Sequence, residues 1–208
     1  MNGTAHMTVG AAVGFIIAQT YGADAVDTAS LVAAGGVSAL IPDLDVNGKL
    51  SNKVTFSSKM VRSAVQVVSL FVMLYSYLEG TGNERWLGIG YGVLILIFST
   101  FITQRRMLTI TGIGIAACGF QLDTSWMWLM GIYVIIASLV SHRTYTHSIL
   151  GIIYFYFVAL AFQGAVMVDG LFQAAMIGYI SHLIGDMKFL PFNKKGVKLF
   201  LPLSSKEI

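Results

Sequence analysis

"SHRTYTHSILGIIYFYFVALAFQGAVMV" occupies residues 141–168. Its second part is an unbroken apolar run of about the 20 residues that a membrane-spanning helix requires. Its first part packs two histidines and an arginine against the start of that run. The run decides the fold class, and the rest of the chain repeats it. Of the 208 residues, 56% are hydrophobic and 11% charged, with mean hydropathy +0.75. Soluble domains carry about 25% charged residues, so this composition excludes an ordinary soluble domain.

Working outward, eight apolar segments emerge. They lie at about 7–21, 28–41 (stopped by Pro42), 60–78, 86–102, 107–120, 126–140, 149–168 and 170–185. The expected architecture is an all-α, polytopic membrane bundle of about eight transmembrane or membrane-embedded helices. One membrane-embedded domain, 1–185, is expected to carry a basic interfacial tail, 186–208. The first, second and fifth segments are short or glycine-rich, and tilting, half-insertion or packing inside the bundle suits them. Cys118 is the single cysteine, so no intrachain disulfide can form. "MNGTAHMTVG" has no basic residue before its apolar stretch, which argues against a cleaved signal peptide.

The basic residues orient the bundle. With the N-terminus in the cytoplasm and strict alternation, Lys49, Lys53, Lys59, Arg62, Arg105, Arg106, Arg143, Lys188, Lys194, Lys195, Lys198 and Lys206 fall inside, and only Arg85 falls outside. That asymmetry is the positive-inside pattern. It predicts a multi-pass membrane protein with both termini cytoplasmic. Asp24, Asp27, Glu79, Glu84, Asp123 and Asp169 lie outside, while Asp43, Asp45, Asp186 and Glu207 remain inside.

The same topology gathers the four histidines. His6, His142, His147 and His182 all reach the inner face, beside Asp43, Asp45 and Asp186. Singly, each has a plainer reading: a core histidine, a helix stop, a polar loop. Together, at membrane depth where ionisable groups are costly, they outline a metal site. His182 and Asp186, four apart, share one helix face. Pro42 makes "PDLD" a turn. His142 and His147 are separated by about 140° on an ideal helix, so a break between them helps them converge. Thr144 or Thr146 can cap the following helix. Ser148 has the chemistry of a nucleophile, but its position reads as a helix start. Imidazole and carboxylate donors suit zinc first, with manganese or iron as alternatives. Seven donors are enough for one or two ions. Asp43, Asp45 and Arg143 are the candidate catalytic groups, the aspartates as base and the arginine as an anion clamp.

His6, "IPDLD" (41–45), "HRTYTHS" (142–148), "HLIGD" (182–186) and "GVKLFLPLS" (196–204), in that order, resemble the YdjM-like family. That resemblance covers nearly the whole chain. It implies a bacterial inner-membrane protein described as a metal-dependent hydrolase, with some members under LexA control and a phospholipase-like role suggested. The family loop usually reads His-Arg-Gly-x-Thr-His-Ser; here Thr144 replaces the glycine. The "GVKLFLP" element also stands slightly further from Asp186 than the family pattern has it.

The expected function is therefore hydrolysis of an ester or phosphoester of a lipid or lipid-linked substrate at the inner leaflet. A membrane lipid is the expected partner, and no nucleic acid is expected. A metal transporter or sensor is the first alternative, but it calls for polar residues near the midplane, and the outer helix halves offer few. A non-catalytic scaffold with a structural metal is the second.

Overall fold

The computed structural model describes residues 1–44, 55–188, 193 and 196–208. It is all-helical over those residues, and each of the eight expected segments is a helix. In chain order they are α1 (Gly3–Tyr21), α2 (Ala25–Ser38), α3 (Ser58–Glu79), α4 (Gly82–Ser99), α5 (Gln104–Gln121), α6 (Ser125–Leu139), α7 (Ile149–Val166) and α8 (Leu171–Gly185). Short 3₁₀ turns cover Ile41–Leu44 and Tyr145–His147.

The number of membrane spans is smaller than expected. Among the described residues, only α3 and α7 are long and apolar enough to cross; α4 and α5 add a third if they act as one broken span. The physical reason is length and composition. Helices α2, α6 and α8 have 14, 15 and 15 residues. At 1.5 Å per residue they extend only about 21–23 Å, short of a hydrocarbon core of about 30 Å. Helix α1 has 19 residues, but His6, Gln19 and its threonines dilute its hydropathy.

Local signals set the helix ends. Asn2 caps α1 by accepting from Ala5 N at 2.8 Å, and Gly22 closes it in the left-handed region. Asp24 caps α2 by accepting from Val26 N and Asp27 N, both at 2.9 Å. Ser148 stands at the N-cap of α7 without a side-chain cap bond; its hydroxyl instead donates to Tyr145 O at 2.8 Å.

The chain forms two compact units. Unit one comprises Met1–Val54 and Leu108–Ile208. In it α1, α2 and α8 pack together, and α8 also packs on α7, which packs on α6. Leu108, Tyr133, Val134, Phe155, Tyr179 and Leu183 lie at its buried core, with Ile41 and Leu44 of the first 3₁₀ turn. Its C-terminal tail folds back: Val197 and Ile208 exchange backbone hydrogen bonds, and Ile149 N donates to Leu199 O.

Unit two, Thr55–Met107, is a hairpin of α3 and α4. Gly88 lets Ser76 approach, and Gly92 does the same for Met73. Arg62 donates to Ile102 O at 2.7 Å, and Arg106 to Phe101 O at 2.6 Å. The outward flank of α3 carries Val67, Leu70, Phe71, Leu74 and Leu78, all exposed.

Candidate metal centre

Three helices are drawn together by small residues. Gly10 and Gly14 lie one turn apart in "GAAVG" on α1, facing Gly35 of α2. A Cβ on Gly10 would collide with the Gly35 carbonyl oxygen, and one on Gly35 with the Gly10 oxygen. A Cβ on Gly178 of α8 would meet that same Gly35 oxygen. Gly35 therefore serves both contacts, as small residues do in membrane bundles. The consequence lies at one shared end of these helices. His6 from α1, the turn after α2, and His182 from α8 arrive side by side. The His6 and His182 rings stack with centroids 3.9 Å apart.

One hydrogen bond fixes a tautomer. His182 Nδ1 lies 2.7 Å from the Ala39 carbonyl oxygen, which can only accept. The proton is therefore on Nδ1, and the neutral ring turns the lone pair of Nε2 inward. His147 Nε2 faces that atom at 3.2 Å. Its own Nδ1 sits 3.0 Å from Thr146 Oγ1, which can accept the Nδ1 proton and leave Nε2 bare in the same way. Asp43 Oδ1 completes the set, 3.5 Å from His147 Nε2 and 3.6 Å from His182 Nε2. Among the described residues this buried oxygen has no hydrogen-bond partner. Acceptors that converge so closely repel one another unless a positive charge joins them: a shared proton, or a metal ion.

Asp186 supplies a fourth donor. One ligand atom from each of Asp43, His147, His182 and Asp186 lies within 4.8 Å of the others, so the group can hold a metal ion. Two imidazoles and two carboxylates are a donor set for zinc or another first-row divalent ion. Burial pushes the Asp43 carboxyl up, but once a proton is shared in the cluster the imidazoles of His147, His182 and His142 outweigh it and hold it below its ordinary value.

Asp186 is surrounded by donors. Oδ1 accepts from His6 Nε2 at 3.1 Å and from the Met1 ammonium at 2.9 Å. Oδ2 accepts from Arg143 at 2.8 Å and stands 3.9 Å from His182 Nε2. Burial raises this carboxyl, yet the bonds from His6 and Met1, with the charge of Arg143, hold it far below the ordinary carboxylate range. Asn193 also accepts from the Met1 ammonium, at 3.3 Å, and donates to Gly185 O at 2.7 Å.

The 141–148 loop is shaped to deliver these contacts. Arg143 is left-handed, with φ 58°, a conformation uncommon for a residue with a side chain. Its guanidinium reaches Asp186 from that position. The 3₁₀ turn Tyr145–His147 then brings the buried His147 inward. A hydroxyl chain stands behind it. Tyr179 donates to the Thr146 carbonyl oxygen, so Tyr133, 3.1 Å away, must donate to Tyr179.

Of the residues singled out in the sequence, Asp43, His147, His182 and Asp186 form the group. His6 touches it through Asp186 and the ring of His182, and Arg143 through Asp186. His142 is exposed and stands edge-on to His147, centroids 5.6 Å apart, outside the group of four. Asp45 lies outside the described residues. The Ala39 carbonyl, Thr146, Tyr133, Tyr179, Met1 and Asn193 were not foreseen. Only Tyr179 had a signal, a phenol one helical turn before His182 in an apolar segment.

Neither the curated proteins nor the solved structures compared with the chain match it. The family profile described as "YdjM inner membrane protein" matches it over residues 1–208, its whole length. The chain belongs to the YdjM inner membrane protein family.

Proposed function

We propose that the chain is a membrane-bound, zinc-dependent hydrolase acting on a lipid or lipid-linked phosphoester at the cytoplasmic leaflet of the inner membrane. The observation that carries this reading is the convergence of His147 Nε2, His182 Nε2 and the unpartnered Asp43 Oδ1. Three protein ligands with room for one more are the usual pattern of catalytic zinc. Zinc supplies Lewis acidity toward a phosphoryl or acyl oxygen and makes a water more acidic.

The residues have distinct parts. His147 and His182 hold the ion. The Asp43 side chain is 21% exposed while both imidazoles are buried, so it stands at the open side, as ligand or base. Asp186 is kept ionised by Arg143 and His6, which also hold it in place. His142 and Asp45 are candidates for a second ion or for substrate contact. Arg143 keeps a clamp role only if it exchanges Asp186 for a substrate anion. The basic-residue asymmetry, which counts all eight segments as crossing, supports a multi-pass arrangement with both termini and the site at the cytoplasmic face.

A second reading is favoured by one feature, the presence of a fourth donor, Asp186. If its carboxylate joins the ion, the shell closes with four protein ligands, as in structural zinc sites. The two readings separate in one experiment. Purified protein is assayed against phosphate-ester and acyl-ester lipids, with and without chelator and as Asp43→Asn. Chelator-sensitive hydrolysis, lost in Asp43→Asn while the helical fold persists, supports the enzyme. No turnover, with helical melting on chelation, assigns the ion to structure and rejects the hydrolase.

A further inference from the structure

A cavity of about 380 Å³ opens between α2, α6, α7 and α8. Its volume lies in the range of small-molecule sites, roughly 300–1,000 Å³. Ile41, Met130, Phe155, Ala159 and Ala175 line it, and among the described lining residues only Ser30 and Ser38 bring hydroxyls. Such walls cannot bind a phosphate or a sugar. Protein interiors seldom contain voids of this size. An apolar cavity is also a poor host for water, which needs polar partners. The occupant that suits it is hydrocarbon.

Its position gives the occupant a direction. Ile41 and Ser38 are within five residues of Asp43, so one end of the cavity adjoins the turn that carries this donor. Ala175 precedes His182 by seven residues of α8, about 10 Å along the helix. From there the walls run away from the metal centre. At the far end Trp126 and Phe162 meet edge to face, centroids 5.0 Å apart. Ser30 to Ser38 alone spans about 12 Å at helical rise. An apolar slot of that length therefore ends beside the turn that carries Asp43 of the metal-binding group.

We propose that this cavity takes one hydrocarbon chain of a membrane phospholipid and so sets its phosphate headgroup at the metal centre. The headgroup half rests on the hydrolase reading; the chain half stands on the cavity alone. Lipid tails are as apolar as the cavity walls, so entry from the bilayer gains little from hydrophobic burial. What it supplies is position: a chain held in the slot fixes the ester relative to the side chains that act on it.

The test uses the full chain in detergent. Trp86→Phe and Trp128→Phe leave Trp126, on the cavity wall, as the only tryptophan. Phosphatidylglycerol with brominated chains is titrated in, and Trp126 fluorescence is read alongside bound zinc. The expected result is saturable quenching, weakened 10-fold or more by Ala34→Phe, which narrows the cavity, with zinc retained. Ala33→Phe, on a more exposed part of the same wall, repeats the test if Ala34→Phe does not fold. Linear quenching, equal with and without the phenylalanine, overturns the cavity assignment and leaves the hydrolase reading standing. Saturable quenching in a protein that binds no zinc keeps the cavity and removes the hydrolase reading.

Discussion

His147 Nε2 and His182 Nε2 face each other at 3.2 Å, although 35 residues separate them in the chain. His182 carries its proton on the far nitrogen, bonded to the Ala39 carbonyl. The lone pair turned toward His147 thus follows from a backbone contact between α8 and the end of α2. Whatever disturbs that contact, or the loop that holds His147, should be read out at the metal.

Tyr179→Phe tests the loop. It removes the buried hydroxyl that donates to the Thr146 carbonyl and with it the bond between Tyr133 and Tyr179. An unsatisfied buried group costs about 1–3 kcal/mol. The variant should lose stability on that scale, and its metal affinity should fall. Unchanged stability and affinity would show that the hydroxyl chain does not support His147.

Gly35→Ala tests the helix packing. Its added methyl must displace α1, because the Gly10 carbonyl oxygen occupies the space. Separating α1 from α2 moves His6 and the Asp43 turn apart. The variant should melt lower and bind metal more weakly, whereas Gly90→Ala, where a Cβ meets nothing, should leave both unchanged. Equal behaviour of the two variants would sink the packing argument.

Arg143→Ala and Arg143→Lys separate positioning from clamping. The guanidinium now holds Asp186 Oδ2 at 2.8 Å. As a positioning residue, it should affect metal affinity by about 10-fold or more when removed, the scale of outer-shell changes, with partial rescue by lysine. A variant with unaltered metal affinity and only a raised KM would assign Arg143 to the substrate instead.

Most of the fold was legible in the sequence, because apolar runs bounded by Pro42, Gly22 and Gly170 need no tertiary information. The number of spans was not. Hydrophobicity marks α2, α6 and α8 as buried, but a helix can be buried by protein as well as by lipid, and their lengths favour protein. In the site, the order of His6, "PDLD", "HRTYTHS" and "HLIGD" pointed to one membrane face. The division of labour was hidden, since it depends on through-space contacts. His142 and His147 look alike in the sequence; the 3₁₀ turn buries one and exposes the other. The His6 bond to Asp186 spans 180 residues, and no local spacing encodes it.

Topology has its own test. A cysteine at position 144, in a Cys118→Ala background, should react with an impermeant thiol reagent only when the cytoplasmic side is open to it. Labelling solely from the periplasmic side would reverse the orientation drawn from the basic residues.

The metal centre is tested most directly by zinc stoichiometry and X-ray absorption at the zinc edge, on the wild type and on His147→Ala and His182→Ala. The expected result is bound zinc with nitrogen and oxygen neighbours at about 2.0–2.2 Å, two of them imidazoles. Each substitution should lower the affinity 10-fold or more. Wild-type protein that binds no divalent metal, or variants that bind it as tightly as the wild type, would contradict the site.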